Sequence, residues 1–258
     1  MMRLPTTPLP IHLQSGLRIL FTLAVSVLTL RLGAGLVAWR AANNLEKPNY
    51  TVVKRLSLSS PSSRRGGVEI RRYEPYLIAE TTVNESSMRK AGSMGFGKCA
   101  GYIFGKNEPR KTSSGGGMVA GEKMAMTAPV RSVGKAGGEK MAMTSPVRSS
   151  GDGGKTKISF VIGSKYSLQN VPRPIDSSVK IRMVKGHYLA ATSFSGPPPS
   201  DERISKERSE ILRTLDREGI RVMNKDETVV YGYHDPVVTP NFLRKNEVCV
   251  TVDGSSIR

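Results

Sequence analysis

Two stretches 111 residues apart repeat one pattern, and that repetition limits the fold more than any other feature of the chain. Ile70-Arg71 falls on Ile181-Arg182, Leu77-Ile78 on Tyr188-Leu189, and Ala79 and Thr81 on Ala190 and Thr192. In the first stretch, residues 68–83 read as a strand interrupted at Pro75, with Val68, Ile70, Arg72 and Glu74 on one side and Tyr76 and Ile78 resuming. A helix follows, because Phe96, Cys99, Tyr102 and Ile103 recur at i, i+3, i+6 and i+7. Asn84 is its expected N-cap and Gly105 its stop. Glycines 92, 95, 97 and 101 weaken that helix by about 1 kcal/mol each relative to Ala, and allow close approach of a packed surface. In the second stretch, the Pro-rich turn at 196–199 leads into an amphipathic helix over 201–218, capped by Ser200 or Asp201 and closed by Gly219. Its apolar face carries Ile204, Ile211, Leu212 and Leu215. Further strands are expected at 50–54, 227–234 and 247–252. The same strand–helix–strand order in both halves predicts one pseudo-twofold α+β domain.

A second, tighter repeat lies between the halves. Residues 121–132 read GEKMAMTAPVRS and residues 138–149 read GEKMAMTSPVRS, 17 positions on, with eleven of twelve residues matching. Each copy alternates Lys, Met, Ala, Met, Thr as a strand would and stops at Pro129 or Pro146. Gly/Ser linkers at 113–117, 134–138 and 151–154 surround them. The copies are either a duplicated hairpin arm or paired Met strands lining an apolar pocket, and alternating Met belongs more often to a core.

The first acid of the chain is Glu46, whereas Arg3, Arg18, Arg31 and Arg40 precede it. Apolar residues run over 19–30 and resume over 32–39 after Arg31. Three readings stay open: an organelle transit sequence, a secretory signal, or a membrane span. The 21 residues 19–39 make about 32 Å of helix, enough to span, but Arg31 near the middle costs roughly 2.5–3.5 kcal/mol. Residues 1–46 are placed outside the fold as a targeting sequence or anchor. The domain is expected over 47–254, with a Gly/Ser-rich loop at 109–157 and a tail at 255–258.

Charge and composition exclude several functions. The net charge is +18, which favours an anionic partner. Residues 1–46 hold four Arg against one Glu, and residues 106–157 hold ten basic against four acidic residues. No aromatic residues interleave with the basic ones in that loop, so single-strand nucleic-acid binding is disfavoured and no specific nucleic acid is expected. Two Cys, Cys99 and Cys249, in no CxxC pair exclude Cys-rich zinc and c-type haem attachment. Three His, one of them His12 near the terminus, exclude a His-rich metalloenzyme. Gly92–Cys99 nearly spells a P-loop, and Gly95–Ala100 a loose dinucleotide fingerprint. The first lacks a Ser or Thr and a directly preceding strand, and the second lacks the following acid. No Ser/His/Asp, HExxH or paired-carboxylate arrangement is present, so an enzyme is not expected.

Several segments in order identify the chain as resembling the SOUL haem-binding family. They are PNYTVVKR (48–55), EIRRYEPYLIAET (69–81), GFGKCAGYIFGKNE (95–108), KMAMTAPV (123–130), KMAMTSPV (140–147), FSG (194–196) and RKNEVCVTV (244–252). The resemblance covers about residues 47–254, and the doubled block looks most like plastid members of plants and algae, some associated with plastoglobules. It implies a distorted eight-stranded β-barrel of two pseudo-symmetric halves flanked by two helices. It implies non-covalent binding of haem or another tetrapyrrole in a shallow apolar groove, no other metal ion, a monomer, and a plastid location. The alternative is a membrane-surface or lipid-droplet structural protein, held by residues 19–39 in another compartment.

A haem groove needs apolar contacts beneath a flat disc and cations at its rim. Matching motif to motif, the resemblance implies Met94, Phe96 and Ala100 on the helix and Met124 and Met126 on the strand after it. Arg89, Lys98 and Lys106 are the nearest cations. Some members carry a His before the Tyr of the EIR-x-Y motif, where this chain has Arg72. His187 then reads as polar surface and His234, in YGYHDP, as a turn hydrogen-bonding residue. Met and Tyr are the remaining ligand types, and weak, non-covalent binding, with or without an axial ligand, is the expectation.

Overall fold

The structure is a computed structural model that describes residues 11–58, 67–110, 121–135 and 154–257. Helix α1 (Ile11–Asn43) precedes strands β1 (Tyr50–Leu56), β2 (Val68–Tyr73) and β3 (Tyr76–Asn84). Helix α2 (Met88–Ile103) leads to the two-residue β4 (Asn107–Glu108), then β5 (Val130–Lys135) and β6 (Lys155–Val161). The second half runs β7 (Arg173–Pro174), β8 (Val179–Val184), β9 (His187–Ser195), α3 (Asp201–Arg217), β10 (Glu227–Gly232) and β11 (Lys245–Val252).

Nine strands form one curled antiparallel sheet in the order β1-β2-β9-β11-β10-β5-β6-β3-β8. The short β4 and β7 pair separately. The 111-residue repeat is visible in the element boundaries. Val68 and Val179 each open a six-residue strand, and Tyr76 and His187 each open a nine-residue strand. Exchanging β2 with β8, β3 with β9, β5 with β10 and β6 with β11 reverses the order of those eight strands and leaves it otherwise unchanged. The pseudo-twofold therefore passes between β5 and β10. Strand β1 is added at one edge by pairing with β2, which makes nine strands where eight were expected. It does not pair with β8, so the curl stays open.

Each half covers its own strands with a helix. Helix α2 lays Cys99, Tyr102 and Ile103 on Leu77, Ala79 and Phe160 of β3 and β6. Helix α3 lays Ile204, Ile211 and Leu215 on Ala190, Val248 and Val250 of β9 and β11. Both helices start on a serine whose Oγ accepts a backbone N–H three residues on: Ser87 from Lys90 at 3.4 Å and Ser200 from Arg203 at 3.3 Å. Ser87 replaces the expected Asn84 as the α2 cap, because Asn84 is still the last residue of β3. Gly95 is the glycine of α2 that permits close packing, since a Cβ there would lie 2.7 Å from Ile158. Gly97 meets nothing within 4 Å.

Three further expectations change. Residues 121–126 are not a strand: Met124 N–H donates to Ile103 O at 2.9 Å, and the strand starts only after the cis Ala128–Pro129 bond, at Val130. The second copy, 140–147, lies outside the described residues. Leu45 and Glu46 belong to the packed domain, with Glu46 O accepting Ala128 N–H at 2.9 Å and its carboxylate accepting Ser164 N–H at 2.6 Å. At the other end, Ile257 packs against the α3 core rather than trailing as a tail.

The face of the sheet away from α2 and α3 buries an ion pair. Glu247 on β11 is fully buried and Arg71 on β2 is 2 % exposed. Arg71 donates both terminal nitrogens to Glu247 at 2.9 and 3.0 Å. Ser193 on β9 donates to Glu247 at 2.8 Å, Tyr233 at 2.6 Å and Lys245 at 2.9 Å. Burial alone would raise the Glu247 pKa, but Arg71 and the other donors bring it down to about 2. A carboxyl whose folded pKa lies below its unfolded value adds stability above the unfolded value and loses it as pH falls. Stability measured by urea unfolding is expected to drop as pH goes from about 5 toward 2. Glu247→Gln, which leaves the buried Arg71 with Glu69 at 2.8 Å as its remaining counter-charge, is expected to cost up to about 3–5 kcal/mol at pH 7. On α2, Gly95→Ala is expected to destabilise by about 1–3 kcal/mol and Gly97→Ala to stabilise by up to about 1 kcal/mol, both read by thermal unfolding.

Candidate ligand-binding groove

Helix α2 covers β3 and β6 while α3 covers β9 and β11, so the central β5–β10 pair is only partly covered between them. A groove of about 480 Å³ occupies that seam. Its floor is Val130 and Ser132 of β5 and Val230 and Gly232 of β10. One wall is the stripe Met88, Gly92 and Phe96 of α2. The other is Pro198, Pro199 and Ile204 at the start of α3. The walls meet where Asp201 of α3 accepts the Met88 N–H at 3.0 Å. The open end is closed by the β10–β11 loop, through Asp235, Pro236 and Val237. Most of the lining is apolar, and Arg89 and Arg244 supply cations. The volume falls in the roughly 300–1,000 Å³ range of small-molecule pockets.

The loop is tightly built. Asp235 Oδ1 accepts Val237 N–H at 2.7 Å and Val238 N–H at 2.9 Å. Arg244 Nε donates to Thr239 O at 2.6 Å, which fixes its guanidinium beside the groove. His234 lines both the groove and a second cavity of about 190 Å³ walled by Tyr50, Tyr73, Tyr231 and Tyr233. Its Nδ1 accepts the Lys245 N–H at 3.1 Å. Burial, then the charges of Lys47, Lys245 and Arg244, lower its pKa. The neutral ring with Nδ1 accepting must carry its proton on Nε2, so that atom offers an N–H and not a lone pair. His234 Nε2 is buried and has no partner among the described residues.

The site residues implied by the resemblance separate in space. Arg89 and Phe96 line the groove. Phe96 is 38 % exposed and meets Phe160 edge-on at 5.1 Å. Met94 and Lys98 are exposed but do not line the groove. Ala100 and Met124 are buried in the core beneath α2, and Met126 packs against that core half-buried. Lys106 lays its methylenes over Gly101. His187 is not plain surface: it is half-buried and stacks on Tyr73 at 5.3 Å and 8°. The groove's β10, α3 and loop residues were missed in the sequence. Their sequence signals were Pro198-Pro199 and His234-Asp235-Pro236, both legible only as turns.

Residues 45–251 match the family described as SOUL heme-binding protein. The chain belongs to the SOUL family. It is 31% identical over 185 residues to human heme-binding protein 2, covering 71% of this chain and 77% of that one. Among solved structures it resembles the EcmrR C-terminal domain, at 7% identity and a TM-score of 0.46, covering 72% of this chain and 96% of that one. It also resembles a hydrolase from Listeria innocua at 12% identity and a TM-score of 0.42, covering 71% and 91%.

His234 is expected to be neutral at pH 7 with its proton on Nε2. Nitrogen-15 NMR of labelled histidine reads the tautomer directly, and the midpoint of its titration should lie below that of a free imidazole.

Proposed function

We propose that this SOUL-family chain binds haem or a related tetrapyrrole non-covalently in the groove between α2 and α3. The observation that carries the reading is an apolar, ligand-sized groove with two arginines at its edge, in a chain of this family. Bound haem would bring a flat apolar face and two carboxylates. Met88, Phe96, Ile204 and Val230 offer apolar atoms to the face, and Arg89 and Arg244 are cations suited to the carboxylates. The tautomer of His234 favours a hydrogen bond from Nε2 to an acceptor over direct ligation, which supports weak binding. The chain's own work is then to desolvate one side of the ligand, orient its acid edge and hold it reversibly, as transport or buffering requires.

Gly92 makes the test selective, because it lines the groove and a Cβ there meets nothing within 4 Å. Gly92→Leu therefore fills the groove while improving helix propensity. Haemin is titrated into the full chain in lipid nanodiscs, against empty nanodiscs, and the Soret band is followed. The native chain and Gly97→Ala are expected to saturate at micromolar haemin. Gly92→Leu is expected to weaken binding at least tenfold, and Arg89→Ala with Arg244→Ala to weaken it several-fold. Equal affinity of Gly92→Leu and the native chain would remove the groove as the site, and no saturable change in the native chain would remove the function.

A further inference from the structure

The β10–β11 loop presents apolar side chains to the outside although it is not loosely held. Val237 is 75 % exposed and Phe242 is 69 % exposed, with Val238 exposed between them. The Asp235 and Arg244 hydrogen bonds brace the backbone of this tip. Helix α1 packs directly on it. Gly35 is the buried residue of that helix's apolar stretch, and a Cβ there would lie 2.5 Å from Pro240 Cδ and 3.1 Å from Val238 O. Only glycine allows the helix to approach so closely.

Around that contact α1 is bare. Its segment Arg18–Asn43 is long and apolar enough to cross a membrane and has almost no buried surface. Eleven Leu, Ile, Val and Phe residues in 19–39 favour insertion by roughly 3–7 kcal/mol, enough to offset the roughly 2.5–3.5 kcal/mol for Arg31. Water is a poor solvent for such a surface, and a bilayer is a good one.

We propose that the loop joining β10 to β11 is a lipid-contacting surface, seated in the interface of the bilayer that α1 spans. The register follows from the helix. Gly35 precedes Trp39, the last residue of the apolar run, by about 6 Å of rise. A loop in contact with Gly35 therefore lies at the depth of the last turn of the span, where headgroups meet acyl chains. Val237 and Phe242 enter the acyl edge. Trp39 is an interfacial aromatic residue, and Arg40 and Lys47 follow it in the chain toward the headgroups. The proposal stands on the Gly35 contact and not on the identity of the groove's ligand.

The chain has one tryptophan, so depth can be read residue by residue. The full chain is reconstituted in phosphatidylcholine vesicles containing lipids brominated near the top of the acyl chain. Trp39 fluorescence of the native chain is measured first. Trp39→Phe is then combined with Phe242→Trp, or with Ile175→Trp as a control on an exposed apolar residue (62 % exposed) away from α1 and the loop. Quenching by at least half, with blue-shifted emission, is expected for Trp39 and for the tryptophan at 242, and none for that at 175. An unquenched tryptophan at 242 beside a quenched Trp39 would overturn the loop's role. An unquenched Trp39 would overturn the span and the proposal with it, as would equal quenching at 242 and 175.

Discussion

The buried pairing of Arg71 with Glu247 holds the sheet in register, and the rest of the molecule depends on that register. The pair joins β2 to β11 across β9, and Ser193, Tyr233 and Lys245 complete it from β9, from the residue after β10 and from the start of β11. Each buried charge has several kcal/mol of desolvation to offset, which only this many donors in good geometry can do. A one-residue slip of β2 or β11 would turn one partner to the helix-covered face and separate the two charges, leaving Glu247 with Lys245 or Arg71 with Glu69. The same register sets Val230 and Gly232 facing the groove while Tyr231 and Tyr233 face the opposite side. It also sets where the β10–β11 loop begins and ends.

The groove is a consequence of duplication. Two similar halves each bring a helix for their own strands, and the sheet joins the halves through β5 and β10. Neither helix covers the whole seam: α2 reaches it through Met88, Gly92 and Phe96 and α3 through Ile204. The hydrogen bond from Met88 to Asp201 closes the gap at one end only. The halves then differ where it matters. Among the described residues, the second half supplies the β10–β11 loop with His234, Val237 and Arg244, which closes the other end and meets α1.

Much of this was legible in the sequence, and the illegible part has a common cause. The helix α3, its serine cap and its Gly219 stop are local, set by periodicity and by backbone groups within one turn. The α2 stripe was equally clear, although its cap moved to Ser87 because strand pairing carried β3 through Asn84. The KMAMT segment misled because alternation alone does not make a strand. Its backbone bonds to the end of α2, and Met124 turns into the core. Of the site residues implied by family resemblance, Arg89 and Phe96 share a groove while Ala100 and Met124 serve the core, a division set by which face of α2 meets the sheet.

The sequence by itself determined the two-part α+β plan, the strand spacing of 111 residues, an apolar N-terminal helix and the poverty of metal ligands. Those are properties of pattern, carried by neighbours in the chain. Only the tertiary structure decided which surface lay empty. The groove joins residues 88–96, 130–132, 198–204 and 230–246. The seat of α1 joins Gly35 to Pro240. Such contacts come from a close-packed sheet and helices meeting at long range, and no periodicity along the chain records the space that packing leaves uncovered.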